Sequence, residues 1–312
     1  MPIRSYHPGD EVAQAAIFNE AAAELPGYKP AQADEVRRRF QARDFDPTTR
    51  LYLEEEGKVV GYVSAHANGR VSFPWCKPGF KRHADTLLAE ALNGLKARGV
   101  TRAFAAYHAA WTAQAEFFQR QGFRHARDMV SFVQEIMELP TMMNRRASAI
   151  EKLNPEEIPH VHAMVPELWR GMPAADLEKH WLRNPHLPPE SYFVIRSKAD
   201  AKPMAVGVLV DNPAFADPLN LDANQPCFRL GAFGTEGLQH KRVNGLFSFV
   251  CPPNSQVSVY GLDLIGYAVM RLDGTNTEAL AAQVPSDVPH LLKFYQQHFR
   301  YQGKFPVFER AL

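Results

Sequence analysis

The sequence predicts a mixed α/β (α+β) chain of two tandem domains, each a mostly antiparallel central sheet flanked by helices. Three observations predict it. The chain has 312 residues, enough for about two domains at roughly 150 residues each. One order of elements, β-α-α-β-β-β-α-β-α-β, can be read twice along it. Between the two readings lies Met137–Ala147, MELPTMMNRRA, which holds a proline and no sustained period and reads as a linker. The expected domains are 1–138 and 148–312.

In the first half, Ile3–Tyr6 is a short strand and Glu11–Leu25 a helix with Val12, Ala15, Ala16 and Phe18 roughly on one side. Ala33–Arg43 is a second helix. Leu51–Glu55 and Val59–Ala65 pair across Gly57-Lys58, and Arg70–Trp75 is a further strand. His83–Arg98 is amphipathic, with Leu87, Leu88, Ala91, Leu92 and Leu95 at helical spacing, and Gly99 stops it. Arg102–Tyr107 is a strand. Thr112–Gln121 is a helix capped near Thr112 and ending at Gly122, and Phe123–Ile136 supplies closing strand.

The second half repeats the order. Ile150–Leu153 is a strand, and Pro155–Met164 and Ala174–Leu182 are helices. Tyr192–Arg196 and Met204–Val210 pair, and Cys227–Phe233 is the next strand. Ser255–Leu272 is a helix, Leu280–Val284 a strand, Val288–His298 a helix, and Arg300–Leu312 closes the sheet. Two pieces have no counterpart in the first half, the inserts 212–226 and 238–253. Inserts of that length commonly cover a site or an interface.

Composition excludes several classes. Lys plus Arg is 35 and Asp plus Glu 34, a net charge of +1 with neither half strongly charged. A protein that binds nucleic acid through bulk charge would be plainly basic. A disordered chain would be less apolar than this one, at 46% hydrophobic. Cys76, Cys227 and Cys251 are too few and too scattered for a disulfide framework or a cysteine zinc cluster, so no metal is expected. They fit a reducing, cytoplasmic setting. No signal-peptide pattern opens the chain, and no apolar run is long enough to span a membrane.

The element order, in tandem, resembles the GNAT-type acyl-CoA N-acyltransferase superfamily. The resemblance is sharpest at Phe117-Phe118-Gln119-Arg120-Gln121-Gly122-Phe123, at Phe294-Tyr295-Gln296-Gln297-His298-Phe299, and in the closing run Gln302–Arg310. It implies acetyl-CoA as cosubstrate and a small-molecule or peptide amine as acceptor. In the family, a loop of pattern Gln/Arg-x-x-Gly-x-Gly/Ala opens a helix whose N–H groups hold the pyrophosphate. The expected loop of the first half, Trp75–Arg82, has one glycine and a proline. That of the second half, Gly237–Gly245, has Arg242 and Asn244 where glycines belong.

The resemblance makes Phe233, Gly234, Gly237, Gln239, His240, Lys241 and Arg242 the cofactor-binding candidates. It makes Tyr295 the acid that reprotonates the leaving thiolate, since a phenol of pKa about 10 stays protonated until the thiolate forms. Phe118 holds the matching place in the first half and has no proton to give. The second half is therefore the candidate active domain and the first a structural one. Glu236, with His240 as the other choice, is the candidate base. The alternative expectation is a catalytically inactive binding or dimerisation scaffold, a homodimer whose interface is built from Phe215, Leu219, Leu221, Leu246, Phe247 and Phe249 of the inserts. Aminoacyl transfer from tRNA has no encouragement from the near-neutral charge.

Other signals read as structural. His160 and His162 stand two apart on a helix and point about 200° apart, so they do not share a metal. Cys76 reads as a small buried hydrophobe, with a nucleophile near His83 as the other choice. Arg37-Arg38-Arg39 reads as a solvated run, with steering of an anionic ligand as the other choice.

Overall fold

The computed structural model describes residues 2–26, 28, 30–41, 45–138, 150–182, 188–210, 245–275, 277 and 279–312. It is a mixed α/β chain with mostly antiparallel strands, as expected, and it divides into two compact units.

Among the described residues, the first unit holds Met1–Asp128 and Lys304–Leu312. Strands β1 (Ile3–Ser5), β2 (Arg50–Glu55), β3 (Lys58–Ser64) and β4 (Trp75–Cys76) form an antiparallel sheet in that order. The expected strand Arg70–Trp75 is broken. Val71 bridges Ala65, Arg70 bridges Phe104, and regular pairing resumes only at Trp75. Pro74 lacks the N–H that a continuous strand would use.

Helix α1 (Asp10–Ala22) follows Gly9, whose φ of 106° suits glycine. Asp10 and Glu11 are buried at its start, so each carboxylate requires partners. Arg4 grips Asp10 through two nitrogens at 2.6 and 2.9 Å. Glu11 accepts from Arg37 Nε at 2.9 Å, from the Tyr6 hydroxyl at 3.1 Å and from the Gly9 N–H at 2.8 Å. Arg37, on α2 (Ala33–Phe40), is thus a tie between the two helices rather than a solvated charge.

Helix α3 (Ala84–Ala97) buries the five apolar residues that predicted it against Val60, Val63, Ala103 and Ala105. Each large side chain so buried contributes about 1.5–3 kcal/mol. Their sum outweighs the roughly 1 kcal/mol that Gly94 costs inside the helix. Gly99 and Gly122, both at φ 79°, end α3 and α4 (Thr112–Arg120). Trp111 stands at the N-cap of α4 and makes no side-chain capping bond, so the cap expected near Thr112 is absent. Strand β5 (Arg102–Ala106) pairs with the end of β12 (Arg300–Ala311), from Val307↔Ala106 to Ala311↔Arg102.

Among the described residues, the second unit runs from Met129 to Gly303. It takes the end of β6 (Arg124–Glu135), which pairs with β11 (Ala279–Pro285) from Met129↔Pro285 to Glu135↔Ala279. The sheet continues through β10 (Gly245–Val250), β9 (Pro203–Val210), β8 (Tyr192–Arg196) and β7 (Ile150–Lys152). All of these pairs are antiparallel except β10 with β11. Helices α5 (Ile158–Met164), α6 (Pro166–Trp169) and α7 (Ala174–Leu182) precede β8. Helices α8 (Val257–Leu272) and α9 (Pro289–His298) flank β11 in sequence. A Cβ on Gly261 would lie 2.4 Å from the Phe294 ring, so glycine is what lets α8 and α9 close together.

Each unit is thus completed by a strand segment from the other half of the chain. The expected boundary between 138 and 148 falls largely outside the described residues, while the compact units divide inside β6 and β12.

One expectation is corrected. Leu246, Phe247 and Phe249, read as part of an insert and as interface, are 5%, 0% and 1% exposed in β10. The short apolar run LFSFV, bounded by Pro252-Pro253, is the signal of a strand buried on both faces that explains it. No helix among the described residues is long and apolar enough to cross a membrane.

Candidate active site

The parallel pair β10–β11 is registered at Gly245↔Leu280 and Leu246↔Ala281. Beyond that register, β10 pairs only with β9, through Phe247↔Leu209 to Val250↔Val206, and β11 pairs only with β6. The two strands part, and their C-terminal ends leave a wedge between them.

Tyr295 stands beside this wedge. It lies on α9, is 1% exposed, and is packed among Phe132, Phe249, Phe294 and Phe299 with ring centroids 5.0–5.8 Å away. The Ser248 side chain and the Phe249 backbone lie near its hydroxyl and favour ionisation slightly, but neither makes a hydrogen bond of proper geometry. The hydroxyl is buried and unpaired. Burial is the largest influence and pushes the phenol well above its ordinary range, so it stays protonated at neutral pH.

The edges of the wedge are fixed. His290, in the first turn of α9, donates from Nε2 to the Cys251 carbonyl at 3.0 Å, tying the helix to the end of β10. Cys251 is fully buried and its thiol is pushed up to about 12 by desolvation. Gln283, on β11, donates from Nε2 to Ser131 Oγ at 3.3 Å, and its buried Oε1 has no partner. Burial holds His298 below the usual imidazole range.

The first unit has a matching divergence. Arg70 and Phe104 bridge in parallel, with Val71 N–H donating to Phe104 O and Phe104 N–H to Gly69 O at 2.9 Å each. Just beyond, the Phe73 N–H donates to the Tyr107 hydroxyl at 2.5 Å. Tyr107 stacks on Trp111 and on Phe118, at 5.8 and 6.0 Å. Burial pushes its phenol up to about 12, against the opposing bond from Phe73. Phe118 is fully buried and offers no proton. Gln114 Oε1, one helical turn before Phe118, is a buried acceptor without a partner.

Of the sequence candidates, Tyr295 alone lies among the described residues. Glu236 and the cofactor-binding candidates Phe233, Gly234, Gly237, Gln239, His240, Lys241 and Arg242 lie outside them, as do the strand Cys227–Phe233 and Phe215, Leu219 and Leu221. Their setting is nonetheless corrected at one end. The segment expected to open the long helix leads instead into strand β10, and the turn entering α8 is Cys251–Gln256. Ser248, Gln283 and His290 escaped the sequence reading, because isolated polar residues in apolar runs carry no spacing signal.

His160 and His162 each end on a backbone carbonyl, of Pro203 at 3.1 Å and Met172 at 2.6 Å. Cys76 is 3% exposed, with its thiol pushed up to about 11 by burial, as a buried hydrophobe should be. Among the described residues no group of three or more His, Cys, Asp or Glu is placed to hold a metal ion.

No protein-family model matches the sequence, and no curated protein matches it. Solved structures do match its fold. A GCN5-related N-acetyltransferase from Sphaerobacter thermophilus superposes with a TM-score of 0.65 at 12% identity, covering 99% of this chain and 95% of that one. The glucosamine N-acetyltransferase region of a fungal multi-domain GH3 β-N-acetylglucosaminidase gives 0.65 at 15% identity, covering 99% of this chain and 38% of that one. A tandem GNAT protein from the clavulanic acid biosynthesis pathway gives 0.57 at 10% identity, covering 99% of this chain and 98% of that one.

Proposed function

We propose, from the premise that this chain has the tandem GNAT-type fold, that its second half transfers an acetyl group from acetyl-CoA to a primary amine. The observation that carries the reading is the buried, unpaired hydroxyl of Tyr295 beside the wedge between β10 and β11. A buried hydroxyl without a partner is costly to keep. A ligand sulfur or carbonyl in the wedge would relieve that cost.

The transfer would proceed by direct attack. The amine nitrogen bonds to the thioester carbonyl carbon and the carbon–sulfur bond breaks. Tyr295 gives its proton to the departing sulfur, and the surplus amine proton passes to a base, for which Glu236 or His240 is proposed. The phenol then recovers its proton from solvent. An acyl-enzyme on Cys251 has no support, because a thiol near 12 is almost wholly protonated at neutral pH.

The turn Cys251–Gln256 and the first N–H groups of α8 would meet the pyrophosphate. Gln256 and Gly261 fill the first and last places of the family pattern, with Val259 in the middle one. This turn has no lysine or arginine. Gln239, His240, Lys241 and Arg242 are therefore proposed as the source of positive charge, with Phe233, Gly234 and Gly237 beside them.

Calorimetric titration of acetyl-CoA into the whole protein tests the reading. Binding with Kd on the order of micromolar, about 8 kcal/mol, is expected. No heat and no thermal stabilisation at millimolar ligand would overturn it.

A further inference from the structure

We infer that Gln283 is the acceptor-side positioning residue of this wedge, its amide oxygen receiving an N–H of the incoming primary amine. The inference rests on the acyltransfer reading above.

The sheet register places the residue. In β11, Leu280, Ala282 and Val284 belong to the core that also holds Val130, Phe132 and Tyr295. Gln283 alternates to the opposite face, across from Ser131 on β6. On the other side of the wedge, the last parallel pair is Leu246↔Ala281. Two residues further on come Ser248 and Gln283, on the same face as that pair. There the strands have parted and no ladder bond joins them. The Tyr295 hydroxyl lies near Ser248.

Polar groups on three elements, Tyr295, Ser248 and Gln283, thus border one divergence, and two of them are buried and unsatisfied in opposite senses. Tyr295 holds a proton with no acceptor, and Gln283 Oε1 is an acceptor with no donor. Buried polar groups are nearly always paired in folded proteins, so two orphans bordering one divergence call for a ligand. The missing partners are one acceptor and one N–H donor. A thioester sulfur and an amine supply that combination.

The choice of an amide also fits the chemistry. A carboxylate here would stabilise the ammonium form and withhold the lone pair that must attack. A neutral oxygen holds the amine without favouring its protonation. Ser131 fixes which way that oxygen points, by accepting the other end of the amide at 3.3 Å.

The test uses the whole protein, acetyl-CoA, and glycinamide, n-butylamine and glucosamine as primary-amine probes, following release of free thiol. Gln283→Leu should raise KM for the best probe about tenfold and leave KM for acetyl-CoA unchanged. Gln283→Glu should keep a low amine KM while moving the rising limb of the pH–rate profile upward. An unchanged amine KM in Gln283→Leu, or an equal rise in both KM values, would overturn the positioning role. Wild-type protein that binds acetyl-CoA but turns over none of the three amines would overturn the acceptor role alone. Wild-type protein that fails to bind acetyl-CoA would overturn the reading beneath it.

Discussion

The two units solve one geometrical problem differently. In each, two chain segments that run parallel part after a short contact, a single bridge at Arg70↔Phe104 in the first unit and the pair β10–β11 in the second. The first unit satisfies its divergence from within. The Tyr107 hydroxyl takes the Phe73 N–H, Trp111 stacks over it, and Phe118 fills the place on α4 with hydrocarbon. The second unit leaves its divergence incompletely paired. The Tyr295 hydroxyl and Gln283 Oε1 stay buried and unpaired. The bond between Phe73 and Tyr107 stabilises the first unit, whereas each unpaired group in the second carries a desolvation cost that a ligand would relieve on the proposed reading. Gln114 is the orphan of the first unit, but an amide there cannot pass a proton to a leaving group.

The largest expected effect comes from reversing this difference at the helix. Tyr295→Phe should lower kcat about 100-fold, the lower end of what a positioned acid contributes, with little change in KM for acetyl-CoA. Phe118→Tyr should restore nothing, because the first wedge is already filled. Steady-state thiol release measures both, and an unimpaired Tyr295→Phe would remove the phenol from the mechanism.

A smaller effect concerns acid. Burial of Asp10 and Glu11 opposes their ionisation, but the hydrogen bonds from Arg4 and Arg37 outweigh it and hold both carboxyls below the usual range. Groups depressed in the folded state contribute stability above their unfolded values, near about 4. That stability is lost as pH falls through the folded values. Glu11→Gln should lower Tm at pH 7 by a few degrees, about 2–4 °C per kcal/mol, and flatten the acid decline below pH ~4. An acid decline as steep as in the wild type would contradict this role.

Much of the fold was legible because it is written in periodicity. The leucines of α3 and the stops at Gly99 and Gly122 were readable from spacing, whereas Tyr295 and its counterpart Phe118 were marked by the resemblance. Strand β10 was missed because a sound pattern, LFSFV, was assigned to an insert. Gln283 and Ser131 were missed for a deeper reason. They stand 152 residues apart and become a pair only through strand register. Residues that act through a register between distant segments leave no local trace, whereas a helix face does.

Paired unfolding measurements on Tyr107→Phe and Tyr295→Phe test the central contrast most directly, without requiring a substrate. Each variant removes one hydroxyl. Tyr107→Phe should lose about 1–2 kcal/mol, since it strands the Phe73 N–H. Tyr295→Phe should be neutral or slightly more stable, since it deletes an oxygen that has no partner. Equal losses in the two variants would contradict the account, because the second wedge would then be as saturated as the first.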